Sequence, residues 1–196
     1  MVGLALSELL GARVLDSDGA AAGRVHEVAM LPQDDAAHIA AVIVRTGEGD
    51  RLLPKEEIAG FERHVLRSTT KASTWAKFDK SAEGLFLLER DLLDQQIIDV
   101  HGRKVVRVND VDLDPVTVNH HIALKVSGVD VGARGATRRL LKGAVPNAAL
   151  RVLLSKIPPR IIPWEFVDLI ETDPARRVKL RIEHTLLSKL HPADIA

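Results

Sequence analysis

The sequence contains no cysteine and no tyrosine, and only 3% of its residues are aromatic. Without cysteine there are no disulfides, no thiolate zinc sites and no cysteine nucleophile, a usage that fits a reducing compartment. Two tryptophans, Trp75 and Trp164, and four phenylalanines leave little from which to build a base-stacking platform for RNA. An excess of one charge is missing too. Lys and Arg number 27 and Asp and Glu 27, so no net field draws the molecule to nucleic acid or an anionic bilayer, and any such role needs a local patch. No run approaches the roughly 18 apolar residues that cross a bilayer. The first ten residues lack a basic n-region and reach Glu8 early, so the chain reads as soluble and cytoplasmic. A nucleophile elbow, an HExxH motif and a credible Ser-His-Asp set are all absent, and the expectation is a protein that is not an enzyme.

What is present is an internal repeat. Shifting the sequence by 83 residues superposes Leu9-Leu10 on Leu92-Leu93, Asp16 on Asp99, Gly19 on Gly102 and Arg24-Val25 on Arg107-Val108. The same register aligns Val28 with Val111, Pro32 with Pro115, and His38-Ile39-Ala40 with His121-Ile122-Ala123, giving 11 identities over the 36 positions from 9 to 44. Conservative pairs such as Val14 with Ile97 and Glu27 with Asp110 join them. Duplication of this kind sets the architecture before residue detail does.

The unit reads as β. Val14-Leu15 runs into Asp16-Ser17-Asp18-Gly19 and out through residues 23–28, a hairpin signal in which glycine supplies the positive φ of a tight turn. In both copies the apolar positions change parity, between Val25 and Val28 and between Val108 and Val111, which predicts a bulge or bend. Residues 39–45 are nearly continuous in Ala, Val and Ile and should form a central strand covered on both faces. A fourth strand at 51–53 meets Pro54, and Pro163 opens the matching stretch, so each predicts a short helical turn. Last strands follow at 64–68 and 178–182. Five or six short strands are too few for a broad open sheet, and closure into a small barrel removes exposed edges.

The expected organisation is mainly β: one barrel over 1–69, a linker over 70–84 with Trp75 and Phe78 pinned against a barrel, and a second barrel over 85–183. The second carries about 26 extra residues, predicted as a helical insertion near 134–160 split at Pro146. From 184 to 196 the rhythm becomes helical and stops mid-pattern, as it would if the native chain continued beyond Ala196.

The run G-x-x-V-L-D-x-x-G-x-x-x-G-R-V-x-E-V from Gly11 to Val28, followed by an apolar strand and a Pro-led turn, resembles the PRC-barrel family. The second copy keeps Ile97-Ile98-Asp99, Gly102 and Arg107-Val108 but has Asp94 and Val106 in place of two glycines. The tail motif L-H-P-A-D-I-A is similar to the opening of the cytosolic N-terminal helical domain of MgtE-type magnesium transporters. The resemblance implies tandem PRC-type barrels acting as a cytoplasmic regulatory or adaptor module of a magnesium-transport-related protein, through a protein partner or self-association as a homodimer. It supplies no catalytic or cofactor-binding residues. It also implies an alternative, an RNA- or ribosome-associated adaptor like the barrel of a ribosome maturation factor, although nucleic acid is disfavoured by the charge balance.

Several constellations bear on chemistry. Asp110, Asp112 and Asp114 alternate along a strand and would share one face, as magnesium would require; a solvated edge strand is the commoner setting for such a pattern. Asp16, Asp18, Asp99 and His101 fall in hairpin turns where Asp caps its own backbone. His120 and His121 point to opposite faces if they lie in a strand, and so cannot easily share an ion. Gly128, Gly132 and Gly135 lack the Lys-Ser or Lys-Thr of a P-loop and read as a hinge. The best candidate interaction surface is the insertion, with Arg134, Arg138, Arg139, Lys142, Arg151 and Lys156 and no acid from 134 to 160. Its apolar faces make basic amphipathic helices suited to an anionic membrane surface or a partner, unless they pack on the barrel with a solvated basic back.

Overall fold

The computed structural model describes residues 4–62, 64–79, 84–99, 104–118, 121–141, 143–145 and 147–169. The expected strand at 178–182 and the helical tail at 184–196 lie outside these residues. The strands in chain order are β1 (Leu4–Ala5), β2 (Arg13–Leu15), β3 (Ala21–Leu31), β4 (Asp35–Thr46), β5 (Gly49–Pro54), β6 (Ile58–Glu62), β7 (Val65–Ser68) and β8 (Ala76–Lys77). They continue as β9 (Phe86–Leu87), β10 (Gln96–Asp99), β11 (Lys104–Arg107), β12 (Asp110–Val118), β13 (His121–Asp130), β14 (Ile161–Pro163) and β15 (Val167–Leu169). Among the described residues three α-helices, α1 (Leu6–Leu9), α2 (Ala133–Leu141) and α3 (Asn147–Ser155), complete a mainly β structure. Among the described residues no helix is long and apolar enough to cross a membrane.

Twelve strands join in one sheet whose main path is β1-β12-β13-β4-β3-β2-β7-β6, and β11-β10-β15 form a second. The large sheet curls into a half-barrel. The repeats meet where β4 runs antiparallel to β13, with Lys125 opposite His38. Apolar residues of both repeats, from Leu9, Val28 and Val44 to Leu92, Val111 and Val126, belong to one buried core. Each such side chain removed from water contributes about 1.5–3 kcal/mol.

Local sequence accounts for much of this. In β4, Ile39, Ala41, Val42, Ile43 and Val44 are all buried because both faces are covered, Val42 and Val44 by the main core and Ile43 by a small cluster with Ala29 and Leu87. Phe78 and Leu85 pack against that cluster, and Trp75 joins the main core. The segment expected as a linker therefore seals the outer side of the sheet, and its β8 pairs with β5. The pairing of β3 with β4 slips between Val25 and Glu27, at the predicted change of parity. In the second repeat the chain leaves β11 and restarts as β12 at the same place. Pro54 and Pro163 each lead a single 3-10 turn, Lys55–Glu57 and Trp164–Phe166.

The two repeats exchange their first elements. β1 of the first pairs with β12 of the second, and β9, which opens the second, pairs with β3 of the first. The backbone bonds around each exchange match: Gly11 N–H donates to Val25 O and Val25 N–H to Ala12 O, while Asp94 N–H donates to Val108 O and Val108 N–H to Gln95 O. Gly11 has φ 75 and Asp94 φ 64, so the residue that replaces glycine keeps its left-handed backbone. Asp is one of the few L-residues that tolerates this region. The other departure, Val106 for Gly23, also has a steric reason. A Cβ at Gly23 would run into the backbone carbonyl of Arg45 on β4, whereas among the described residues β11 pairs with β10 alone and leaves room for a side chain.

Candidate functional site at the helical insertion

The exchange places a buried carboxylate at the base of each repeat. Glu27 on β3 accepts hydrogen bonds from the N–H groups of Glu89 and Arg90 at 2.8 and 3.0 Å, in the helical turn Leu88–Leu92 of the other repeat. Asp110, its equivalent on β12, accepts from Ser7 N–H at 3.1 Å and Ser7 Oγ–H at 2.6 Å in α1. Each also accepts from the amide of the residue that follows it, Val28 or Val111. Burial holds the Glu27 carboxyl above the usual carboxylate range, against the pull of its three amide donors.

Among the described residues the second carboxylate alone is joined to an arginine by a salt bridge. The insertion leaves β13 through Gly132, whose N–H donates to Asp130 Oδ1 at 2.8 Å, and a carboxylate there favours the helix dipole that follows. α2 then brings Arg138 onto Asp110, Nη1 to Oδ2 at 2.9 Å with side chains 12% and 0% exposed, and to 3.9 Å from Asp112. Gly135 makes this approach possible, since a Cβ there would lie 3.0–3.2 Å from Asp110 and Asp130 atoms. The next residue, Arg139, grips Asp94 with two bonds of 3.0 and 2.8 Å and also donates to Asn109 O at 3.2 Å. That guanidinium lowers the Asp94 carboxyl below its ordinary range.

The net charge of this cluster is unbalanced: Asp110, Asp112 and Asp130 face Arg134 and Arg138. Burial, reinforced by Asp110 and Asp130, pushes the Asp112 carboxyl up to about 6, and burial raises Asp130 as well. Arg134 Nε is buried with no hydrogen-bond partner among the described residues.

The expected basic face is thus divided. Arg138 and Arg139 turn inward because the barrel offers them acids, and they fasten α2 to it instead of facing solvent. Lys156 and Arg160 are exposed. Lys142 lies outside the described residues, as does the side chain of Arg151. Apolar residues take the outside instead: Leu140 is 80% exposed, Val152 63% and Leu153 42%, while Leu150 and Leu154 on the opposite side of α3 are buried. Among its described residues the hairpin exposes basic and apolar side chains together.

Asp110, Asp112 and Asp114 differ in burial along β12: Asp110 is buried, Asp112 half-buried and Asp114 exposed, and the ladder shifts beside them where β13 carries the extra residue Ser127. Among the described residues no group of three His, Asp or Glu is placed to hold a metal ion. Asp16 Oδ1 accepts from Asp18 and Ala20 N–H, capping its own turn as its position predicts. His101 and His120 lie outside the described residues, as does the side chain of His121. Gly132 and Gly135, read from sequence as a hinge, sit in close packing, Gly132 against Asp130 and Arg160 and Gly135 of α2 against Asp110 and Asp130. Sequence reasoning assigned no role to Ser7, Glu27, Asp94 or Asp130; the acid that recurs at Glu27 and Asp110 in the repeat register was the available signal.

No protein-family model matches the chain, and no curated protein sequence matches it.

Proposed function

We propose that the chain is a non-enzymatic adaptor or regulatory module, built as two fused PRC-type barrels, that docks an acidic protein partner on its insertion. One observation carries this reading: of seven exposed large hydrophobic residues among those described, four (Leu140, Val152, Leu153 and Ile161) belong to 133–161. Apolar side chains held out on a helical hairpin suit the groove of a partner, and exposed Lys156 and Arg160 nearby favour one of negative charge. The resemblance of the repeats and tail supports a cytoplasmic, magnesium-transport-related setting, with magnesium handled elsewhere than on this chain and with self-association as a further mode. The RNA-adaptor reading uses the basic insertion with Arg138, Arg139 and Lys142, and two of these, Arg138 and Arg139, are already paired.

Titration calorimetry of the 196-residue chain against an MgtE-type helical domain tests the proposal. Micromolar binding, on the order of −8 kcal/mol, that weakens at least tenfold in Leu140→Gln/Val152→Gln supports it. No heat with that domain, together with a monomer by sedimentation, overturns it. Salt-dependent RNA retention lost in Arg138→Gln/Arg139→Gln would establish the alternative.

A further inference from the structure

We infer that the open edge of β11 is a second docking site, one that takes an extended acidic segment of a protein partner as an added strand. This goes beyond the docking on the helical hairpin proposed above and does not depend on it.

The edge exists because the two repeats part at the insertion. In the first repeat β3 continues from β2 to β4: Arg24, the equivalent of Arg107, faces Arg45 on β4, while Val25 N–H turns the other way to Ala12 O. In the second repeat the chain leaves β13 at Asp130 to form α2, so no described strand lies along β11 on the side away from β10. Val108 N–H donates to Gln95 O, and the ladder runs on with Ile97 opposite Val106 and Asp99 opposite Lys104. Antiparallel ladders alternate, so the N–H and C=O groups of Val105 and Arg107 point away from β10. These are the groups to which a further strand bonds.

The side chains beside them define the occupant. Val105 is 59% exposed and lies opposite Ile98, itself 38% exposed. Side chains two apart share a face, so Val105, Ile98 and exposed Arg107 form one outer surface, while Val106 and Ile97 turn to the core. Asp99 stands opposite Lys104, but Arg107 has Gln96 across from it. Asp94, a carboxylate that feels the charge of Arg107, is already gripped by Arg139. An antiparallel strand of pattern Glu-x-Val sets its apolar residue against Val105 and its carboxylate against Arg107, extending the apolar surface and answering the cation. A second copy of β11 does neither: full pairing sets Val105 against Arg107 in both directions and gives no arginine an acid. Cations on an edge strand disfavour such self-pairing, and here they select an acidic occupant.

The test adds a blocked peptide, Thr-Glu-Thr-Val-Thr, to the 196-residue chain and follows the backbone amides by NMR and hydrogen exchange. The Val105 and Arg107 amides should shift and gain protection while those of β4 stay as they were. Arg107→Glu should weaken this peptide about tenfold and accept Thr-Lys-Thr-Val-Thr in its place, and that exchange of charge separates pairing from loss of fold. Leu140→Gln/Val152→Gln should leave the affinity unchanged, so failure of this site is distinguishable from failure of the hairpin proposal. No change at about 10 mM peptide, binding indifferent to the charge swap, or binding that leaves Val105 and Arg107 unprotected overturns the inference. Protection of those two amides in the free chain overturns it as well: if it rises with protein concentration a second copy holds the edge, and if it does not, a segment of the same chain does.

Discussion

Glu27 and Asp110 stand 83 residues apart at equivalent positions, and each caps the helical turn of the opposite repeat, yet their surroundings differ. Glu27 lies opposite Ile43 on β4. Asp110 lies opposite Asp130 on β13, because the second hairpin pairs Val111 with Val129 where the first pairs Val28 with Val42, a slip of four positions. An even slip keeps the same side chains inward, so Val28 and Val111 are both fully buried. The slip nonetheless sets two acids side by side, and α2 covers them with arginine. A duplicated unit has kept one structural device, a carboxylate that receives the partner's amides, and in one copy has added an ionic attachment to it.

The largest expected effect tests this asymmetry. Asp110→Ala removes the acceptor of two Ser7 bonds and leaves Arg138, only 12% exposed, without its closest anion. Removing one partner of a buried pair costs about 3–5 kcal/mol, read as the loss of unfolding free energy in urea. Glu27→Ala removes amide acceptors but orphans no cation, and about 1–3 kcal/mol is expected. Equal losses from the two variants would show that Arg138 contributes nothing to folding, and the claimed difference between the repeats would fall.

The parts of this arrangement that were readable from sequence are those set by neighbours in the chain. The repeat register, the bulge after Val25, the doubly covered β4 and the Pro-led turns each follow from spacing, parity or a fixed φ over a few residues. The exchange of first elements did not follow, since Ser7 and Asp110 meet across 103 positions and no local period encodes that meeting. For the same reason Arg138 and Arg139 read as a solvent-facing basic stripe: helical spacing fixes which residues share a face, and the acids of the β body decide which face turns inward. The alternation of Asp110, Asp112 and Asp114 was legible, but their unequal burial was not, since it is set by elements distant in the chain such as α1 and α2.

A smaller effect sharpens the contrast through pH. A carboxyl raised in the folded state binds its proton more tightly there than in the unfolded chain, so the stability linked to it is present at low pH and is lost as pH rises through about 6. From pH 5 to pH 7.5 this amounts to about 1.4 kcal/mol. The difference in unfolding free energy between wild type and Asp112→Asn should shift by that amount, with wild type the more weakened at the higher pH. A constant difference would mean that the second repeat carries its acids without electrostatic cost.

The smallest effect on stability belongs to the outer side of the same helix, and it separates attachment from docking. Leu140 is 80% exposed, so Leu140→Gln removes little area from the folded core and replaces one good helix former with another. The change in unfolding free energy should stay within about 0.5 kcal/mol. Arg138, on the same helix and two positions earlier, faces the other way, and Arg138→Gln should cost several times more while leaving Leu140 in place. If Leu140→Gln proves as damaging as Arg138→Gln, then Leu140 packs against the body in solution, and the outward apolar face from which docking was inferred does not exist.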